Sequence, residues 1–305
     1  MAAAHGLDIR CQLVDKSGAS ASVLCVGETL WDVLPNGEFL GGAPLNVAAH
    51  LARLGVSSRL LSRVGDDARG REALARIQAL GVDASLVQVD PRHPTGIAET
   101  VLDALGSASF RFPGPAAWDA LEATAPAMAA AAGATLVFGT LAQRNPASAA
   151  AIERLAAVAS WRVFDANLRA PHDDREIALR ALAQAHFVKL NDHEVEVFAR
   201  WLGVPQTPAA LQSRLTAQFG TRSLCVTEGA RGARLWHADT YVEQAAFTAD
   251  VIDTIGAGDA FLAMLLAALL RGSSPASAMA RAARLAAYVA SRRGAIPDYD
   301  PSQFR

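Results

Sequence analysis

The sequence predicts an α/β fold: a mostly parallel central sheet with helices on both faces and a small antiparallel flap beside it. Three observations carry that expectation. Short apolar runs of strand length recur along the chain, Ala-rich segments of helical period separate them, and one stretch between 95 and 112 breaks the rhythm with apolar–polar alternation. A chain of 305 residues with 51% hydrophobic content buries a large core as one unit or two. No internal repeat and no long linker divides it.

The elements follow in order. Residues 1–21 hold an early acid, Asp8, and no apolar stretch of the secretory kind, so they read as a disordered extension ahead of one domain over 22–305. Ser22-Val23-Leu24-Cys25-Val26-Gly27 is an apolar run closed by glycine, the pattern of an interior strand. After Gly41-Gly42, residues 44–54 place Leu45, Ala48, Ala49 and Ala52 at helical spacing. The runs 59–65, 134–139, 161–165, 185–190 and 223–227 are further strands, and ligands of such a sheet gather at their carboxyl ends. The pieces 96–103 and 107–112 alternate around Gly106 as a hairpin. With 31–40, which contains the turn Pro35-Asn36-Gly37, they form a candidate lid over 30–41 and 95–113. The run 260–270 is too short to cross a bilayer and reads as a buried helix.

Charge and cysteines exclude several classes. Lys+Arg 28 against Asp+Glu 30, with no basic block, argues against a nucleic-acid or membrane-surface partner. Cys11, Cys25 and Cys225 are odd in number and lack metal or redox spacing, which fits a reduced, cytoplasmic protein. No Gly-x-x-x-x-Gly-Lys-Ser/Thr occurs, and Gly27-Glu28-Thr29-Leu30 supplies no dinucleotide fingerprint.

The stretch Asp253-Thr254-Ile255-Gly256-Ala257-Gly258-Asp259-Ala260-Phe261 carries the most chemistry. Its glycines allow a sharp bend that brings bare N–H groups to an anion at a helix start. Asp259 reads either as a helix cap or as a base beside that cradle, and the local pattern leaves both open. Asn191-Asp192-His193-Glu194 reads alone as an ordinary helix start. Thr227-Glu228-Gly229-Ala230-Arg231-Gly232 reads alone as a hairpin turn. Each follows a strand, at a ligand-facing edge.

Taken together, these segments resemble the ribokinase-like (PfkB) family of sugar and nucleoside kinases, most of all its fructokinase-like branch, over 22–297. The residues that carry the resemblance are Gly41-Gly42-Ala43-Pro44-Leu45-Asn46-Val47-Ala48 near the start and the 253–259 stretch near the end. Asp165-Ala166-Asn167-Leu168-Arg169 and the two segments above lie between them in order. The resemblance implies a ribokinase-like three-layer α/β/α sandwich and an ATP-dependent sugar kinase, the γ-phosphate passing to a primary hydroxyl of fructose or a similar sugar. It implies Asp259 as general base and the backbone of Gly256, Ala257 and Gly258 as anion hole. It places Asp32, Gly42, Asn46, Arg169 and the lid residue Phe110 at the sugar. Lys189, Asn191, Thr227, Gly229, Gly232 and Gly258 fall at the nucleotide.

By the same resemblance Glu194 orders water around Mg²⁺, a loop at Asp253, Ile255 and Gly294 takes K⁺, and adenine lies between the turn near Gly229 and residues 286–291. Two copies could pair through the lid. The Asp-Ala-Asn-Leu-Arg element is shared with 2-keto-3-deoxygluconate kinases, and the chain departs from common fructokinases at 138–144 and 171–174. That branch, a ribokinase or nucleoside kinase, and a non-catalytic sugar sensor on the same fold are the alternative readings.

Overall fold

Alternation along the strands decides the layering. The computed structural model describes residues 22–34, 37–102 and 108–304; the expected extension at 1–21, Pro35-Asn36 of the first turn and the tip at 103–107 lie outside them. The first strand, β1 (Val23–Val26), sends Val23 and Cys25 to one face and Leu24 and Val26 to the other, and all four are buried. A strand buried on both faces must be covered by helices on both, which is the three-layer arrangement.

The chain then leaves for the lid through β2 (Leu30–Leu34) and β3 (Gly37–Gly41), and returns by α1 (Ala43–Arg53), with Pro44 in its first turn, to β4 (Ser58–Leu61). The run 59–65, read as one strand, is two. Ser62 donates its hydroxyl to the Gly27 carbonyl at 2.7 Å, and beyond it β5 (Arg63–Gly65) pairs with β6 (Gln88–Asp90) across α2 (Ala68–Ala79). The lid is completed by β7 (Gly96–Leu102) and β8 (Ala108–Arg111), in the order β3-β2-β7-β8. Both hairpins are antiparallel, as alternation predicts, but β2 and β7 join in parallel.

The remaining strands alternate with helices: α3 (Ala125–Ala131), β9 (Thr135–Phe138), α4 (Pro146–Val158), β10 (Trp161–Asp165), α5 (Arg175–Gln184), β11 (Phe187–Asn191), α6 (Asp192–Leu202), α7 (Pro208–Phe219) and β12 (Ser223–Thr227). A hairpin not foreseen from the sequence, β13 (Ala233–His237) and β14 (Thr240–Gln244), closes the sheet antiparallel. Its polar alternate positions kept it from reading as an interior strand. The sheet order is β14-β13-β12-β11-β10-β9-β1-β4, parallel from β12 to β4.

Last come α8 (Ala257–Leu270) and α9 (Pro275–Ala290). Every residue of α8 from Asp259 to Leu270 is buried, as a helix apolar on all sides requires. It packs with α1 and α9 over one face of the sheet, while α3 to α7 cover the other. Among the described residues no helix is long and apolar enough to cross a membrane. Trp118, read as core, is fully buried.

Candidate active site

The candidates gather at the carboxyl ends of the parallel strands, where such a sheet leaves its crevice. Gly256 precedes α8 with φ +74°, a left-handed conformation that costs an L side chain about 1–2 kcal/mol. A Cβ there would also stand 2.5 Å from the Cα of Ala295. The turn is fastened to the end of α9, because the amides of Ile252 and Asp253 both donate to the Ala290 carbonyl. Ala260 makes the first i−4 bond, to Gly256 at 2.9 Å, so the amide of Gly258 has no partner within the helix. The Ala257 amide turns back on the Thr254 carbonyl at 3.3 Å, which leaves the cradle centred on Gly258.

Asp259 lies one position further and is 8% exposed. The helix has no side-chain cap, so the capping role left open by the sequence is not realised. The carboxylate instead accepts a hydrogen bond from Asn46 Nδ2 at 2.8 Å, from 213 residues away on α1. Burial, reinforced by the charge of Asp165, pushes its pKa up to about 6, while Lys189, Asn46 and Arg169 hold it down. At neutral pH it is ionised and basic enough to take a proton.

Asp32, on β2, faces the same space. Burial raises its pKa to about 6 against the opposing charge of Arg169. Gly41 is the reason the carboxylate fits, since a Cβ there would stand 2.5 Å from Asp32 Oδ2. Gly42 has φ +117° and its missing Cβ clears the Glu28 carbonyl, so its glycine is required by backbone packing ahead of any ligand. Arg169 is half-buried, and its charge acts on Glu28, Asp32 and Asp259 together. Phe110 is 38% exposed on the lid, whereas Phe112 is buried against the edge of His172.

On the nucleotide side, Asn191 and Glu194 form a reciprocal capping box at α6. The Asn191 side chain accepts from the Glu194 amide at 2.8 Å, and Glu194 Oε2 from the Asn191 amide at 2.8 Å. Glu194 Oε1 accepts from the Leu168 amide at 2.8 Å, which ties this element to the loop that carries Arg169. Thr227 pairs in register with Asn191 at the adjacent strand end. Gly229 holds φ +56° with open space where a Cβ would point. Gly232 holds φ +103° against the Gln244 carbonyl, so this segment is indeed a hairpin turn, set beside the crevice. Lys189 is 4% exposed and pairs with Asp165 at 2.8 Å, directly beneath Gly258. Val251 and Ile252, 64% and 60% exposed, form an apolar rim just before the cradle.

The residues assigned by resemblance to potassium do converge. Asp253 Oδ1 accepts from the Ile255 amide at 2.9 Å and Oδ2 from the Gly294 amide at 3.1 Å. Each oxygen keeps a further lone pair, so a cation here could be held by this carboxylate together with backbone carbonyls.

Sequence reasoning passed over Glu28. It is 6% exposed, accepts from the Ala43 amide at 3.3 Å, and burial raises its pKa to about 7. Its signal was position, one residue beyond the glycine that ends β1. With Gly139, Thr140, Asp165 and Asn167 it lines a small cavity of about 10 Å³, room for about one water. A hollow of about 440 Å³ beside Ser58, Arg59 and Asp83 sits at the amino end of β4, away from these groups.

The chain has relatives among known proteins. The family described as pfkB family carbohydrate kinase matches residues 21–302. The chain is 31% identical over 281 residues to a fructokinase of Klebsiella pneumoniae, covering 88% of this chain and 90% of that one. It superposes with a TM-score of 0.76 and 26% identity on the fructokinase of Vibrio cholerae O395 bound to fructose, ADP and calcium, over 91% of this chain and 95% of that. A double mutant of that fructokinase, bound to fructose, ADP and potassium, matches with the same TM-score and identity over 91% and 94%.

Proposed function

The chain belongs to the pfkB family of carbohydrate kinases, in its fructokinase-like branch, and from that premise we propose that it transfers the γ-phosphate of ATP to a primary hydroxyl of fructose or a closely similar sugar. The observation that carries this reading is the meeting of Asp259, held by Asn46, with the unpaired Gly258 amide at the start of α8. Asp259 orients the acceptor hydroxyl and takes its proton late in transfer, a contribution of roughly 10²–10⁴-fold. The Gly258 amide and its neighbours hold the charge that develops on the migrating group, and losing such a donor typically costs about 10²–10³-fold.

Asp32, Asn46 and Arg169 supply the mixed acceptor and donor set that a polyol requires. The charge of Arg169 acts on Glu28, Asp32 and Asp259 around the same space. Phe110 lies on the lid strand that would cover the sugar.

Nucleotide phosphates lie over Gly258, with Asn191, Thr227, Gly229 and Gly232 along the same edge. A divalent cation, Mg²⁺ in this reading, neutralises the phosphates and keeps several waters of its own. In this reading Glu194, with Asn191, orders that water shell. The ligands of the cation are then phosphate oxygens and water. Potassium at the Asp253 turn would stiffen the cradle from behind.

The test is ADP release with a panel of fructose, other ketoses, ribose, nucleosides and 2-keto-3-deoxygluconate. Turnover on fructose supports the assignment. Turnover only on another acceptor overturns the choice of sugar, and none on any acceptor leaves the sensor reading.

A further inference from the structure

Beneath the cradle lies a charged pair that the sugar and nucleotide contacts do not use. Lys189, on β11, and Asp165, at the end of β10, are adjacent in register and 4% and 3% exposed. Their ion pair measures 2.8 Å. A Cβ on Gly258 would stand 3.3 Å from Lys189 Nζ, so the ammonium supports the cradle residue from below. Asp165 opens the loop that ends in Arg169, and its second oxygen, Oδ2, is buried without a hydrogen-bond partner, as is Asn167 Nδ2 in the same loop. That loop is bent at Asn167, φ +43°, and anchored at Leu168 by Glu194.

Two buried charges are a weak source of stability, because their desolvation offsets most of their attraction. A pair retained at this place is better explained by what surrounds it. Resting on the reading of Asp259 as base, we propose that the Lys189–Asp165 pair is a positioning element of the reaction: it joins the Arg169 loop to the Gly258 cradle and sets the field at Asp259. The groups facing Asp259 are Asp165 and Lys189 from the sheet, Asn46 from α1 and Arg169 from the loop, with Glu28 also acting on it. Lys189 in turn faces Asp165, Asp259 and Glu194. The positive charge of Lys189 favours ionised Asp259, and the negative charge of Asp165 opposes it.

The two members therefore act on Asp259 with opposite sign. The experiment is the pH profile of kcat/KM for the sugar, at saturating ATP, in the wild type, Lys189→Met, Asp165→Asn and the double variant. Activity of the wild type rises with pH through an acidic limb as Asp259 ionises. Lys189→Met is expected to move that limb up by about one unit and Asp165→Asn to move it down by about one. The double variant, which leaves no unpaired buried charge and keeps the test open if a single variant fails to fold, returns the limb close to its wild-type place. Lower activity or stability with every limb unmoved would make the pair structural and overturn the proposal. A wild type with no acidic limb, or an active Asp259→Asn, would overturn the base assignment itself.

Discussion

Asp259→Asn is the substitution for which catalysis and stability are expected to move in opposite directions. The change keeps shape and the contact with Asn46, since an amide oxygen accepts from Asn46 Nδ2 as the carboxylate does. What is lost is the base, and turnover should fall by roughly 10²–10⁴ with nucleotide affinity near normal. Stability follows from the pKa, raised from 3.8 to about 6.

Between those two values the folded chain holds a proton that the unfolded chain has released, so stability falls as pH rises through the window. Above pH 6 the ionised carboxylate costs the folded state about 3 kcal/mol, at about 1.36 kcal/mol per unit. Asparagine carries no such cost. For a chain of this size that is a melting temperature higher by about 5 °C at pH 8, with the gain closing as pH approaches 4. Differential scanning calorimetry across pH 4–8, beside steady-state ADP release, reads both quantities. A variant that keeps most of its kcat removes the base, and one that melts no higher at pH 8 refutes the argument from burial.

The two cradle glycines should fail differently. Gly256→Ala meets a left-handed φ and the Ala295 backbone, so a drop of at least about 1–2 kcal/mol is expected together with weaker ATP binding. Gly258→Ala lies in the first turn of α8, where its Cβ meets the end of the Lys189 side chain at 3.3 Å and no backbone, so its fold should hold while turnover falls. Equal melting of the two variants would contradict this. Arg144→Met should cost about 3–5 kcal/mol in urea denaturation, because it strands buried Asp119, 2.8 Å from the guanidinium, at the root of the lid; a loss below about 1 kcal/mol would count against it. His50 is buried, and its pKa is pushed down to about 4. The unfolded chain binds the proton first, so this group's stabilisation is complete above about pH 6.5 and lost toward pH 4, up to about 3 kcal/mol. His50→Gln should flatten that part of the acid limb in denaturant midpoints, and an unchanged slope would remove the explanation.

The sequence alone determined a good deal. Local pattern suffices for strands buried on both faces, for the helix launched after Gly42 and for the all-apolar α8, because period and composition record how many sides of an element are covered. The glycine at 256 announced a cradle for the same kind of reason, a backbone conformation few other residues adopt. Only the tertiary structure decided that Asp259 does not cap α8. Its partner is Asn46, 213 residues away and within 2.8 Å, which no local sequence records. The same holds for Gly41, whose missing Cβ makes room for Asp32, and for Lys189, whose surroundings withdraw it from solvent and pair it with Asp165. Burial and the approach of distant charges set protonation and partnership, and neither is a property of a residue's neighbours along the chain.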